Sequence, residues 1–411
     1  MVARGSGNVQ SASAQAIYEE AIVLQWRGNH KGAVKQFKRV LKQSPDHPQI
    51  LNMCALSLAE LDDLKAAERL LNRAVKSHPG HAESWGNLGV LLQKSGKLDA
   101  AADAYNRLRS LNPGSPAVHV IFAEACLKLE RYSDALTAYE QALAIDPDNP
   151  SAWSGLSQVS IYEGEWEKAL EAADRALPHI PGDTLLLAVK SVAFAELGRN
   201  DEAAELVDFE RLIEVQKFSA PDGYADLKSF NDDLCAHCLA HPSLIYEPSG
   251  KSTKKGHQTE DISQDKGRTP IAPLRDMIVE AVREYQKSHP IDPSHPFLSQ
   301  KPKQWGSYIW TTVLDSSGHQ SSHLHPSGWL SGVYYAKIPD VITANSESQA
   351  GWIEFGRAAK YPKSKAKHEV CSYQPHEGMV VLFPSYFYHQ TKPFESNEQR
   401  ISIAFDLLPL D

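Results

Sequence analysis

AESWGNLGVLLQKSGKLDAAADAYNRLRSLNP, residues 82–113, decides the reading of the first half of the chain. Trp85, Leu88 and Leu92 recur three or four apart, and Tyr105 belongs to a second amphipathic run, so the stretch reads as two helices filling the space between them. Gly89 and Ala101 are small and let the two backbones approach, and Pro113 closes the unit. The same marks recur with a period of 34 residues: prolines at Pro45, Pro79, Pro113, Pro147 and Pro181, and alanines at Ala33, Ala67, Ala101, Ala135 and Ala169. One such unit cannot bury its core alone, so the units must stack. Repeats begin near Ala14, Pro48, Ala82, Pro116 and Pro150. A degenerate sixth begins near Thr184, which keeps Gly198 and Ala203 but lacks the closing proline.

The set Trp85, Leu88, Gly89, Leu92, Gly96, Leu98, Ala101, Tyr105 and Pro113 resembles the tetratricopeptide repeat (TPR) signature. That resemblance implies an α-solenoid with a concave groove that takes a protein or peptide. An asparagine ladder is absent: of the corresponding positions Met53, Asn87, Ile121 and Gly155, only one is Asn. A two-carboxylate clamp for C-terminal peptides cannot be assembled either. A scaffold or dimerisation surface with no peptide in the groove stays open as an alternative.

With 411 residues the chain is too long for one small domain, and 42% hydrophobic with 23% charged residues excludes wholesale disorder. The net charge of −9 and the lack of an Arg/Lys stripe argue against a nucleic-acid or anionic-membrane partner. The opening MVARGSGNVQSASAQ has no apolar leader, and no long apolar run follows, so neither export nor a membrane anchor is expected. Five scattered cysteines suit a reducing compartment, and the cytoplasm is expected. Cys235 and Cys238 lack the second pair that a structural zinc site needs, so they are read as helix packing.

The rhythm of 34 stops near Phe218, and 219–223 reads as a turn-rich boundary. Leu227, Phe230, Leu234 and Leu239 mark one helix. Leu274, Ile278, Val282 and Tyr285 mark another. The polar segment 247–269 between them reads as a mobile loop. After Trp305 short apolar or alternating runs at 307–314, 330–337, 352–355, 379–383 and 401–407 predict strands without helices between them, hence an antiparallel jelly-roll. The fold class expected is therefore multidomain: residues 14–217 a repeat array, 218–304 a helical connector and loop, and 305–411 a β-domain.

Eight of the 17 histidines lie between His289 and His389. In an extended segment residues i and i+2 face one side, so His323 and His325 can reach one metal ion together. His389, at the start of a later strand among Tyr386, Phe387 and Tyr388, is the candidate third ligand. Eleven residues on, Arg400 with Ser402 offers a guanidinium fork and a hydroxyl, which suit a carboxylate. His319, His368 and His376 have no such partners and are read as surface residues. Trp310, Trp329, Tyr334 and Tyr335 are read as core aromatics.

HxH at 323–325, SGVYY at 331–335, Gly378, LFPSYFYH at 382–389 and RISIAF at 400–405 together resemble the 2-oxoglutarate- and Fe(II)-dependent oxygenase family. The resemblance spans roughly residues 224–411, with its specific motifs in the last hundred. It implies a double-stranded β-helix, Fe(II) as metal and 2-oxoglutarate as cosubstrate, whose decarboxylation to succinate is coupled to oxidation of a substrate, usually hydroxylation. Carried over, His323 and His389 are metal ligands, and Arg400 with Ser402 anchors the far carboxylate of the cosubstrate. One tyrosine hydroxyl, assigned to Tyr334, would reach the cosubstrate. His325 stands where the family carries a carboxylate. Three imidazoles also leave a face of the metal open, so His325 is taken as the third ligand; the alternatives are His325 behind the ligands, with Asp315 or Asp406 the nearby carboxylate that could substitute although neither has the i, i+2 spacing. The substrate expected is a protein or peptide delivered by the repeats, or a small molecule. The alternatives are a TPR scaffold with an inactive or sensing jelly-roll, and a 3-His metal dioxygenase that does not use 2-oxoglutarate.

Overall fold

A computed structural model describes residues 7–265, 267, 269–342, 347–358 and 361–410 of the chain. Residues 1–6, on which part of the leader reading rests, and Lys266 and Arg268 of the expected loop lie outside the described residues. The chain is an N-terminal TPR solenoid followed by a curled antiparallel β-sheet domain, and it divides into two compact units, Met1–Val159 and Ser160–Asp411.

In the first unit helices begin at Pro48, Ala82 and Pro116, keeping the period of the sequence. Ala33, Ala67, Ala101 and Ala135 are at most 1% exposed, each filling the crossing of two helices. A Cβ on Gly89 would lie 2.4 Å from Tyr105 Cε1, and one on Gly155 would lie 2.1 Å from the Tyr139 ring, so these positions admit no side chain without displacing the tyrosine. The recurring prolines have a second use. Trp85 Nε1 donates to Pro79 O at 2.9 Å and Trp153 Nε1 to Pro147 O at 2.8 Å, while His119 Nε2 meets Pro113 O at 2.9 Å. Each bond ties the opening helix of a repeat to the close of the one before.

The second unit holds helices Trp166–Ala176, Thr184–Glu196, Asn200–Leu206, Phe209–Leu212, Leu227–Leu239 and Ile271–Ser288. Its described strands are β1 (Glu214–Lys217), β2 (Ile245–Tyr246), β3 (Thr253–Gln258), β4 (Trp305–His323), β5 (Leu330–Lys337), β6 (Ile353–Phe355), β7 (Cys371–Tyr373), β8 (Met379–Pro384), β9 (His389–Thr391) and β10 (Arg400–Pro409). Hydrogen-bonded neighbours run β1-β8-β5-β10-β4-β9-β6-β7, all antiparallel, with β2 and β3 attached beside β4. β4 is long enough to serve three ladders: residues 305–314 pair with β10, residues between 312 and 320 with β3, and Gln320 and His323 with β9. The sheet curls around this strand.

Alternation sorts the residues of β10 between two environments. Ile401, Ile403, Phe405 and Leu407 join a core with Phe230, Leu234, Leu274 and Ile278 of the covering helices. Arg400, Ser402, Ala404 and Asp406 face the other way, into the curl. Cys235 and Cys238 are free and buried in the helix-facing core, as packing residues. Two of the departures from expectation lie before the long strand β4. Residues 253–258, read as loop, form β3, and residues 214–217, read as the end of the array, form β1 paired to β8. Neither carries an apolar pattern; backbone pairing to a neighbouring strand holds both in place.

Candidate metal and cosubstrate site

His323 ends β4, and its Cα partner across the ladder is His389, the first residue of β9. His325 follows in a turn anchored by its N–H donating to Ser385 O at 3.0 Å. The ring centroids lie 4.3 Å apart for His323 and His389, 5.2 Å for His323 and His325, and 4.9 Å for His325 and His389. One ligand nitrogen from each falls within 4.8 Å of the others, the one such cluster of three or more His, Cys, Asp or Glu among the described residues.

The hydrogen bonds of these rings decide what the cluster can do. Nδ1 of His323 faces Ser321 O at 2.8 Å, and Nδ1 of His389 faces Phe387 O at 3.0 Å. Nδ1 of His325 faces Asp406 Oδ1 at 2.5 Å and Ser331 Oγ at 2.9 Å. Oxygen acceptors at every Nδ1 place the ring proton there and leave Nε2 of all three as a lone pair. Burial, followed by the neighbouring His325, pulls the His323 imidazole down to about 3, and burial followed by both neighbouring imidazoles holds His389 well below its ordinary value. Such rings are neutral donors at physiological pH, the form a metal requires. Phe383 at 4.7 Å and Phe355 at 6.0 Å from the His389 ring, and Trp310 at 5.4 Å from that of His325, keep the surroundings apolar.

Arg400 is 1% exposed, and among the described residues no carboxylate pairs with it. Its Nε has no partner, its Nη1 reaches Ser402 Oγ only at 3.5 Å, and its guanidinium lies 4.9 Å over the Tyr335 ring. The Tyr335 hydroxyl is buried with only Arg400 to interact with, and the Thr312 hydroxyl opposite Ser402 is buried without a partner. Burial lowers the Arg400 pKa, partly offset by Tyr335, and burial raises that tyrosine to about 12 despite Arg400. A buried cation among idle hydroxyls costs several kcal/mol unless an anion joins it. These donors fit a carboxylate.

The chain thus brings His323, His325 and His389 together, and Arg400 beside Ser402. Tyr334 is not at this site. It points to the covering helices, stacking on Phe218 at 5.4 Å and donating to Asn231 Oδ1 at 2.5 Å. Its neighbour Tyr335, of opposite strand parity, is the tyrosine that meets Arg400. Asp315 also lies elsewhere, 3.5 Å from His257, whereas Asp406 stands behind His325. His368, read as a surface residue, is partly buried 3.9 Å from Glu196. Tyr335 and Thr312 are the site residues the sequence did not single out as such, and Asp406, named there only as a carboxylate that could substitute at the metal, stands behind His325; the cross-strand register Ser402 to Tyr335 and Thr312, which brings the first two in, is not written in any motif.

Residues 308–406 match the family described as "Putative 2OG-Fe(II) oxygenase". Residues 52–116, 91–159 and 127–193 match families described as tetratricopeptide repeat. The chain therefore carries TPR repeats over 52–193 and a domain of the 2OG-Fe(II) oxygenase family over 308–406. Among solved structures it is similar to a crystal structure of MamA protein, with 20% identity over 41% of this chain and 92% of that one at a TM-score of 0.38. It is also similar to a tetratricopeptide repeat protein from Parabacteroides merdae ATCC 43184, with 16% identity over 48% of this chain and 78% of that one at a TM-score of 0.41. Neither likeness bears on activity. A comparison with curated proteins gives no match.

Proposed function

We propose that the protein is a 2-oxoglutarate- and Fe(II)-dependent dioxygenase that hydroxylates its substrate, with the TPR repeats recruiting a protein or peptide. His323, His325 and His389 would hold the metal, and Arg400 with Ser402 would take the far carboxylate of the cosubstrate. The observation that carries this reading is three imidazoles that each bring one ring nitrogen within 4.8 Å of the others, in the same domain as a buried arginine with no carboxylate partner among the described residues. Bound there, Fe(II) with 2-oxoglutarate supplies oxygen activation coupled to loss of carbon dioxide from the keto acid.

The protein's share is binding and placement. Oxygen acceptors at each Nδ1 orient the imidazoles, and Phe355, Phe383 and Trp310 exclude water. A cavity of about 380 Å³ opens beside His323 and His325, with Tyr308, Trp310, Gln258 and Gln320 in its wall. A substrate C–H held there would lie next to the metal. The free cysteines support a reducing, cytoplasmic setting. Among the described residues no helix is long and apolar enough to cross a membrane.

Turnover of 2-oxoglutarate to succinate by the Fe(II)-loaded protein in air tests the reading. Succinate from the parent and none from His389→Ala is the expected result. An iron-loaded parent that leaves 2-oxoglutarate untouched and unbound would favour a 3-His dioxygenase without this cosubstrate.

A further inference from the structure

Three imidazoles are neutral ligands, so a divalent ion among them keeps its full charge, whereas the 2-His-1-carboxylate arrangement supplies an anion in direct contact. A carboxylate is nevertheless present, one residue removed from the metal position. Asp406 Oδ1 lies 2.5 Å from His325 Nδ1 and 2.7 Å from Ser331 Oγ, and Ser331 Oγ meets Ser385 Oγ at 2.8 Å. The other two ligand rings rest on backbone carbonyls alone. The Asp406 and His325 side chains are 15% and 9% exposed, and among the described residues no Lys or Arg forms an ion pair with Asp406. Its charge is directed at the imidazole.

We propose that Asp406 is the displaced carboxylate of this metal site, a positioning residue that acts through His325. By accepting the Nδ1 proton it fixes the tautomer, turns Nε2 toward His323 and His389, and lends its negative charge to the metal through the ring. Metal, three imidazoles and Asp406 then sum to the same charge as metal with two imidazoles and one bound carboxylate. The fold supports the assignment. Arg400 and Asp406 lie on one face of β10, so a single strand supplies the cation at the cosubstrate end and the anion at the metal end. Ser331, which sits across from Asp406 in the ladder, steadies the carboxylate.

The inference rests on the reading that the three histidines hold a divalent metal, and anaerobic titration of the full chain with Co(II), followed by its d–d absorption, separates the two. If the parent binds no Co(II), the metal reading fails and this proposal with it. If the parent binds, Asp406→Asn is expected to weaken affinity about tenfold and Asp406→Ala about a hundredfold. Asp406→Glu should recover most of the loss, and apo Asp406→Asn should still unfold in one cooperative transition. Parent affinity in both Asn and Ala would overturn the assignment. A measurement on the unaltered protein guards against misfolded variants: in the Zn(II) form, the nitrogen-15 shifts of His325 should show Nε2 metallated and Nδ1 protonated, with its proton farther downfield than those of His323 and His389. Metal on Nδ1 of His325, or a proton shift no different from the other two, would sink the proposal.

Discussion

Arg400 is buried with an Nε that has no partner, and among the described residues no carboxylate pairs with it, which is the basis for proposing that it holds an anion. Charge-assisted hydrogen bonds to a carboxylate are each worth about 1.5–3 kcal/mol. Arg400→Ala should therefore weaken 2-oxoglutarate binding at least about tenfold to a hundredfold while leaving Co(II) affinity at the parent value. Loss of metal in that variant would show the arginine to be structural. The grouping of the three histidines and of Arg400 with Ser402 was legible in the i, i+2 spacing and in the order of motifs the family resemblance supplies, although His325 lies in the turn beyond β4 and not on the strand. Tyr335 and Thr312 were not. Which of two adjacent tyrosines faces Arg400 depends on the register of β5 against β10, including a shift between Ile401 and Ser402 that local sequence does not encode.

The repeats close their helices with a left-handed residue every 34 positions: Gly28, Gly96, Gly164 and Gly198 have φ of 74°, 72°, 69° and 69°. Asp62 and Glu130 occupy the same place with φ of 61° and 56°, where a Cβ is strained by about 1–2 kcal/mol. Glu130→Gly should stabilise the protein by about 0.5–1 kcal/mol in urea denaturation, since the gain is offset by the freedom of glycine in the unfolded chain. A different element is tied by a single carboxylate. Glu196, at the end of helix Thr184–Glu196, accepts from Ser364 Oγ and from the N–H groups of Lys365 at 3.0 Å and Ala366 at 3.1 Å. Burial raises its pKa, but these bonds and His368 outweigh burial and hold the carboxyl below its ordinary 4.5. Its tie is thus fully present above about pH 4.5 and is lost as pH falls through the lowered folded value. Glu196→Gln should speed amide exchange at Lys365 and Ala366 at neutral pH; unchanged exchange would show the tie to be idle. Helix positions were legible here through the 34-residue period, whereas β3 was not, because TKKGHQ pairs through its backbone and buries Thr253 and Gln258 without any apolar alternation.

Across the whole chain the repeat period and the strand pattern made both architectures legible, since each arises from burial of a periodic apolar face. The extent of β4 was not: its second half, DSSGHQSSH, is polar and held by ladders to β3 and β9, yet it brings His323 to the histidine cluster. Metal binding to the native site alone adds about 2.7 kcal/mol of stability at a hundredfold excess over Kd. The parent should therefore melt higher with Co(II), and His323→Ala should not.

The central claim is that one curled sheet chelates iron together with a keto acid. Its most direct test is the visible metal-to-ligand charge-transfer band on adding 2-oxoglutarate to the Fe(II)-loaded protein without oxygen. The band is expected in the parent and not in His389→Ala; a parent that binds iron and 2-oxoglutarate yet shows no band would rule out chelation at this site.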